Sequence, residues 1–392
     1  MKMLLAQAPP AGFTNLPVQP VTCRVVTDVA AASELTQAWS DLLRRSARRE
    51  LTHTPDWLLT WWHVFGPLEQ RELRLGVFQE GARLVGLAPL LRRRHWYRHW
   101  LPFRRLEFLG SGERIGEGIC SNHLSIVAER GAEELVARRL VEAMVEGAFG
   151  AWDEIVMPMM SADTVWPELL VEEFRTAGYR AEITRTAGAP YLPLPATWNA
   201  YLHGHSSNNR RNIERSIKRF DQSAGAMELE CISSFADLER GKDVLIQLHH
   251  DRWASDHQAG VFEALHFRDF HNRLMQLLAA RDMLELLILR VGGVPMAALY
   301  SMVWDNKVYA YQSGRRMDVR ANAHFGDLLF SLAIRRAIEH GRREFDLLAD
   351  EAVYKRHITP HTRALLQVRA ARPRLAEAIR RLGMSCLARL RR

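Results

Sequence analysis

The chain has 392 residues, of which 47% are hydrophobic and 25% are charged. This is the profile of a globular protein, and the length suits two domains of average size. The net charge of +8 indicates an anionic partner, while the absence of any run of eighteen apolar residues excludes a membrane-spanning segment.

The N-terminal residues 1–20 lack the apolar segment of a signal peptide, so we expect a flexible leader there. The four cysteines lie far apart and show no metal-binding spacing. His249 and His250 are adjacent, but no third ligand follows at a suitable distance. We therefore expect free thiols, no metal and a cytoplasmic protein.

The first half of the chain predicts a short series of strands with one helix. Residues 73–94 alternate between apolar and polar on both sides of Gly81, which predicts a hairpin. A strand over 106–112, a helix over 133–148 and a strand over 152–158 follow.

The same order recurs in the second half. Residues 284–304 predict a hairpin, followed by a strand over 308–314, a helix over 326–341 and a strand over 345–350. Four matching elements indicate a duplicated α/β unit. A helix that connects two strands of one sheet makes them parallel, so the pattern predicts a mixed sheet in each unit.

The predicted boundaries follow from this repeat. We expect an N-terminal unit over 21–190, a C-terminal unit over 191–368 and a basic helical tail over 369–392. Residues 184–200 are rich in Pro, Ala and Gly, which predicts a linker between the units. The tail suits contact with anionic lipid or nucleic acid, and docking on the protein body explains it equally well.

Two further segments are rich in arginine. Residues 208–222 predict a helix with an apolar stripe of Ile213, Ile217 and Phe220, capped by Ser206 or Ser207. Its basic residues suit either a phosphate group or a solvated surface. They are Arg210, Arg211, Arg215, Lys218 and Arg219. Residues 92–105 combine arginine with aromatic residues, which suits stacking on bases, a membrane interface or, most simply, a long hairpin loop.

The segment FDLLADEAVYKR (345–356) places several reactive groups directly after an apolar strand. A carboxylate accepts a proton from a nucleophile and a tyrosine donates one to a leaving group, so the segment favours one wall of an active site. A capped turn with surface charges explains it equally well. Asp346 lies within the apolar run and needs a partner, and we expect Asp153 at the matching place of the first unit to be structural.

Six segments in this order resemble the GNAT acetyltransferase superfamily in the tandem arrangement of FemABX-like proteins. They are more closely similar to the CelD/BcsL-like (BioF2-like) acetyltransferases, named for an association with bacterial cellulose biosynthesis. The segments are 53–66, 84–94, 106–112, 208–220, 297–314 and 345–357. In the end motif Ala349 replaces a glycine and His357 a tryptophan, and the nearest match to the pyrophosphate loop is Gly326 within 320–329.

The resemblance implies a GNAT-type acetyltransferase that moves an acetyl group from acetyl-CoA to an amine or hydroxyl of a small molecule or saccharide. It implies that Glu351 or Asp350 acts as the general base and that Tyr354 lies near the departing thiol. Lys355 would neutralise a negative charge on the substrate. The residues expected to bind the cofactor are Arg210, Arg211, Arg215, Ser313, Gly314 and Gly326. Two alternatives remain: a FemABX-like aminoacyl transferase, and a non-catalytic protein that binds polyanions or membranes. No specific nucleic acid is expected as a partner.

Overall fold

The computed structural model describes residues 20–232, 234–317, 324–350 and 352–390. Within these ranges, thirteen strands form one mixed sheet. The strands are β1 (Val21–Val26), β2 (Glu72–Glu80), β3 (Arg83–Tyr97), β4 (Leu101–Phe108), β5 (Val127–Ala128), β6 (Glu154–Ser161), β7 (Arg180–Pro193), β8 (Met227–Ile232), β9 (Leu284–Val291), β10 (Val294–Trp304), β11 (Lys307–Arg315), β12 (Glu344–Asp346) and β13 (Thr362–Ala371). The helices are α1 (Val29–Glu34), α2 (Thr36–Arg45), α3 (Pro55–Phe65), α4 (Glu133–Glu146), α5 (Trp166–Thr176), α6 (Trp198–His203), α7 (Ser207–Asp221), α8 (Phe235–Ala254), α9 (Leu265–Ala279), α10 (Phe325–Glu339), α11 (Val353–Ile358) and α12 (Leu375–Leu390).

The order of elements predicted from the sequence is confirmed in both halves. In the first half an antiparallel hairpin, β2–β3, is followed by β4, by α4 and by β6, which is parallel to β4. In the second half β9–β10, β11, α10 and β12 repeat this order, and β12 is parallel to β11. The mixed α/β fold with two similar units is therefore present.

The two halves exchange their last strands. The sheet order is β1-β2-β3-β4-β6-β13-β7-β12-β11-β10-β9-β8. Strand β6 of the first half pairs with β13 from the end of the chain, whereas β12 pairs with the end of β7. The two halves thus share one continuous sheet.

Two local predictions on connections need correction. The predicted linker over 184–200 is wrong for residues 184–193, because they belong to strand β7. The segment over 92–105 is not a long loop, since β3 extends to Tyr97 and β4 begins at Leu101. The division into units 21–190 and 191–368 stays a proposal. The end of the second unit, residue 368, falls inside β13.

The second half has apolar layers on both faces of its sheet, which explains its uninterrupted apolar strands. Leu286 and Ile288 of β9 face the core cluster that contains α8 and α9. Leu287 and Leu289 face the opposite cluster, which contains α10. This period of two follows from the pleat of the strand.

The C-terminal tail begins as a docked helix. Glu377 in the first turn of α12 is 6% exposed and accepts hydrogen bonds from Arg369 of β13 and from Arg380. Burial opposes ionisation of Glu377, but these two guanidinium groups outweigh it and lower its pKa to about 2. The ion pairs hold the start of the tail against the sheet.

Candidate functional site

The sheet opens between the two parallel strands of the second half. Strand β11 pairs with β12 only from Lys307 to Tyr309 and then continues alone on that side to Arg315. Its other edge remains paired with β10. The backbone of residues 310–315 therefore offers one edge, next to the start of α10, that no strand in the described part of the chain pairs with. Ligands favour such an opening in a mixed sheet.

Two cavities lie at this opening. The larger, which we call the α7 cavity, has a volume of about 530 Å³ and lies between α7, α10 and α11. The smaller, which we call the strand cavity, has a volume of about 180 Å³ and lies against β10, β11 and α10. Asp327, Phe330 and Tyr354 line both cavities. The two spaces therefore adjoin and can hold one extended ligand.

Helix α7 forms as the sequence predicts. Ser206 caps it by accepting a hydrogen bond from the backbone N–H of Asn209 at 3.4 Å. Ile217 is buried, and Ile213 and Phe220 pack beside it against the second core cluster. This apolar stripe fixes the helix on the body and turns its basic face outward.

The arginines of α7 do not share one environment. Arg215 and Arg219 line the α7 cavity, whereas Arg210 and Arg211 do not. Arg210 lies 4.0 Å from Glu214. Within the described residues, no ion pair involves Arg215 or Arg219, so both guanidinium groups remain available to an anion.

The three predicted residues near β11 and α10 all line the strand cavity. They are Ser313, Gly314 and Gly326. A side chain at Gly314 would lie 2.3 Å from the backbone of His249, so glycine is required there for the packing of α8 on β11. A side chain at Gly326 would meet only Arg315, at an ordinary distance of 3.5 Å. Packing therefore does not explain the glycine at 326.

The predicted catalytic segment lies beside the cavities, but its side chains point in different directions. Tyr354 lines both cavities, and its ring centroid lies 5.5 Å from that of Phe330. Lys355 is buried, and its Nζ donates to the carbonyl oxygens of Ala349 at 3.1 Å and Leu348 at 3.4 Å. Lys355 thus holds the preceding turn together.

Of the two predicted acids, only Asp350 is among the described residues. Asp350 is exposed and has a positive φ of 101°. Glu351 lies outside the described residues. Tyr354 is 39% exposed, and partial desolvation of its phenol by the surrounding protein raises its pKa to about 12, with the nearby Asp350 acting in the same direction. Tyr354 therefore keeps its proton at neutral pH and can donate it.

Several polar residues of the α7 cavity were not predicted as site residues, among them His324, Asp327 and His357. His324 precedes α10, and its Nδ1 lies 3.4 Å from Oδ2 of Asp327 in the first turn. His357 of α11 lines the same cavity. For His324 and Asp327 the available signal was the sequence HFGD, in which polar residues flank the first two residues of the helix.

A buried ionic network joins the two halves below the opening. Asp346, at the end of β12, is fully buried and accepts a hydrogen bond from His123 at 3.0 Å. Lys307 lies 3.2 Å from Asp346 and 2.7 Å from Glu50 of the first half. Tyr309 donates to the same oxygen of Glu50 at 2.7 Å. The cost of burying these charges is offset by their mutual pairing.

The network keeps its carboxylates ionised. Burial alone raises the pKa of Asp346, but Lys307 and His123 outweigh it, so the pKa lies well below its usual range. The pKa of Glu50 is lowered in the same way by Lys307. These groups connect the halves and do not line either cavity.

The prediction that Asp153 matches Asp346 is wrong in register. Lys307 pairs with Glu344 across the parallel strands of the second half, and Arg105 pairs with Glu154 across those of the first. Val156 is therefore the counterpart of Asp346. Asp153 precedes β6 and accepts hydrogen bonds from Arg104, which agrees with the structural role expected for it.

Other expected features can be compared with the described part of the chain. Cys23, Cys120 and Cys231 are free thiols there. No described cluster of three or more His, Cys, Asp or Glu residues is arranged to hold a metal ion. Among the described helices, none is both long and apolar enough to cross a membrane.

Comparisons with known proteins agree with this geometry. Residues 207–356 match a family model described as an acetyltransferase (GNAT) domain. The structure is similar to that of FemX, with a TM-score of 0.60, 10% identity and coverage of 88% of this chain and 98% of FemX. A conserved protein of unknown function from Bacteroides thetaiotaomicron gives a TM-score of 0.50, 13% identity and coverage of 89% and 99%. A comparison with curated proteins gave no match.

The matched residues 207–356 contain α7, β10, β11, α10 and the start of α11, which contribute to the walls of the two cavities. The similarity to FemX extends over most of both chains and over both halves of the sheet. The chain therefore has a GNAT/FemX-like fold, and the part of it that matches the GNAT domain model lies in the second half.

Proposed function

We propose that this protein is an acyltransferase that uses acetyl-CoA and acetylates an amine or hydroxyl group. One observation carries the proposal: the GNAT domain match coincides with the opening between β11 and β12 and with the two adjoining cavities. A volume of about 530 Å³ is within the range of small-molecule sites.

The groups around the opening fit an acyl-CoA. The amide groups of its pantetheine arm can pair with the free edge of β11, as an added strand would. The N-terminus of α10 has no side-chain cap, so its backbone N–H groups remain available to phosphate oxygens. Arg215 and Arg219 supply positive charge at the wall of the larger cavity. Gly326 leaves room for a close approach to the helix.

The proposed chemistry is direct transfer. The acceptor nitrogen or oxygen attacks the thioester carbonyl carbon and loses its proton to a base, while the C–S bond breaks and the sulfur receives a proton. Tyr354 is the proposed proton donor to sulfur, and Asp350 or Glu351 the proposed base. Holding both substrates in line supplies much of the rate.

The proposed acceptor is a small molecule or saccharide, in keeping with the resemblance to the CelD/BcsL-like proteins. Lys355 has a positioning role in this scheme, because it holds the turn that precedes Tyr354. The proposed residues for the cofactor are Ser313, Gly314 and Gly326 at the strand cavity, together with Arg215 and Arg219 at the α7 cavity. Arg210 and Arg211 of the same helix are proposed to have a lesser role, through their charge.

The test is direct binding of acetyl-CoA to the full-length chain. A ligand that binds only the native state raises the melting temperature, by a free energy that grows with its concentration over Kd. We expect stabilisation by acetyl-CoA and by CoA, and loss of the effect in Gly326→Trp, which fills the start of α10. Ala177→Trp, at an exposed turn of the first half, serves as the matched control. Absence of any shift at millimolar acetyl-CoA contradicts the proposal.

A second candidate is aminoacyl transfer from charged tRNA. It is favoured by helix α7, where five basic residues accompany two acids, Glu214 and Asp221, and Asp221 already pairs with Arg335 of α10. Such a surplus suits a polyanion. Stabilisation by aminoacyl-tRNA but not by acetyl-CoA would select this candidate, and stabilisation by neither would select a non-catalytic role.

A further inference from the structure

A separate cavity lies in the first half of the molecule. Its volume is about 480 Å³, and it is placed where α4 begins and β6 ends. His53, Ser125, Thr164 and Trp166 contribute to its wall. By the repeat it corresponds to the position of the cavities in the second half, but nothing in the GNAT domain match reaches it.

His53 presents an unused hydrogen-bond acceptor at this cavity. The side chain is 2% exposed, and its Nε2 lies 2.6 Å from the carbonyl oxygen of His123. A carbonyl only accepts, so Nε2 carries the proton. Burial lowers the pKa of His53 to about 4 against the opposing effect of Glu50, so the ring is neutral. Its Nδ1 is therefore a bare acceptor, and it has no partner among the described residues.

Ser125 is the second unsatisfied group. The residue is 5% exposed, and its Oγ has no hydrogen-bond partner among the described residues. Buried polar atoms are rarely left unpaired, because each one costs free energy. Two such atoms on the wall of one cavity indicate that a bound molecule completes their hydrogen bonds.

The charges around the cavity leave one anion in excess. Arg48 lies 3.0 Å from Glu50 and 3.1 Å from Asp163, and Asp163 also pairs with Arg363. Arg130 and Glu134 are one cation and one anion. The carboxylate of Glu133 accepts a hydrogen bond from the backbone N–H of Gly131 at 2.7 Å, which leaves its charge in place. The cavity therefore disfavours a phosphate and is compatible with an uncharged ligand.

We infer that the first-half cavity binds a neutral ligand rich in hydroxyl groups, of the chemical class of saccharides. One ligand hydroxyl donates a hydrogen bond to Nδ1 of His53, and a second ligand hydroxyl forms a hydrogen bond with Oγ of Ser125. A hydroxyl fits both positions because it donates and accepts without carrying charge. This site is independent of acetyl-CoA and does not rest on the proposed function.

The test measures the binding of glucose and N-acetylglucosamine to the full-length protein. The methods are saturation-transfer NMR and titration, both in the absence of acetyl-CoA. We expect binding with roughly millimolar Kd. Ser125→Ala removes one hydrogen bond and should weaken binding by roughly fivefold to tenfold. Because Oγ has no partner in the protein, this variant should keep the melting temperature. Ala47→Trp, at the exposed mouth of the cavity, should abolish binding.

The matched control is Ser216→Ala, which removes a hydroxyl from the wall of the α7 cavity instead. Unchanged affinity in this variant, together with weaker binding in Ser125→Ala, supports the inference. Weaker binding in Ser216→Ala alone would place the saccharide in the second half and overturn it. Absence of binding by both sugars at about 50 mM, far above the expected Kd, would show that water alone fills the cavity.

Discussion

Tyr354 is the residue at which the sequence prediction and the geometry meet. The sequence predicts a site residue there because a phenol follows a buried strand and two acids, and Tyr354 lines both cavities together with Phe330. Its raised pKa suits a proton donor rather than a base. Removing its hydroxyl leaves the ring contact with Phe330 intact, so chemistry and folding can be separated.

We therefore predict that Tyr354→Phe lowers the rate of acetyl transfer by about a hundredfold or more, the usual cost of losing a positioned acid. The melting temperature should stay within the error of the wild type, and KM for acetyl-CoA should change little. The measurement is steady-state kinetics with thiol release as the signal. Tyr179→Phe in the first half is the control, and a wild-type rate for Tyr354→Phe would exclude Tyr354 as the acid.

Individual contacts are where the sequence was least informative. That Asp346 needed a partner follows from its place in an apolar run, but its partners His123 and Lys307 come from different parts of the chain. The resemblance implies that Lys355 neutralises charge on a substrate, yet the side chain is buried and donates to the carbonyls of the preceding turn. The sequence pattern shows that a buried charged group needs a partner, but it does not show which residue is that partner.

At the scale of elements, periodicity predicts α7 well because one apolar stripe decides its orientation. The same pattern cannot tell which arginine faces a cavity, since this depends on where α10 and α11 lie. Arg215 and Arg219 are one helical turn apart and line the α7 cavity, whereas Arg210 and Arg211 lie near the start of α7 and do not. The two pairs of arginines on one helix can therefore be compared, one pair at the cavity and one pair away from it.

We predict that the double variant Arg215→Glu and Arg219→Glu weakens CoA binding by at least tenfold, because two favourable charges become repulsive. The pair Arg210→Glu and Arg211→Glu has the same change in net charge and should weaken it far less. Isothermal titration at two salt concentrations measures both. Equal losses in the two double variants would show a general field effect rather than contact at the cavity.

At the scale of the whole molecule, the repeat of strands and helices was visible in the sequence, but the exchange of last strands was not. Strand β13 pairs with β6 and β7, far away in the chain, and no local pattern selects such a partner. The exchange also explains why residues 184–193 are not a linker: they must reach from β13 to β12. Lys307 and Glu50 then join the halves at the same junction.

Buried histidines give the whole molecule a predictable response to pH. His53 and His271 are both buried, and burial lowers their pKa to about 4 and about 3, from an ordinary value of 6.5. Between pH 6.5 and about 4, the unfolded chain binds protons at these positions and the folded chain does not. By linkage, the free energy of unfolding must fall as the pH falls through this window.

We predict a loss of up to about 1.4 kcal/mol per pH unit for each of the two histidines, measured by urea unfolding from pH 7 to pH 4.5. Asp346 and Glu50, whose pKa values lie below the usual range, lose their contribution only at lower pH, as they become protonated. His271→Gln should reduce the dependence of the free energy of unfolding on pH by the contribution of one proton, whatever its effect on stability at pH 7. His203→Gln, at an exposed helix end, should leave the slope unchanged. An unaltered slope in His271→Gln would mean that His271 takes up its proton within the folded protein, against the burial that surrounds it.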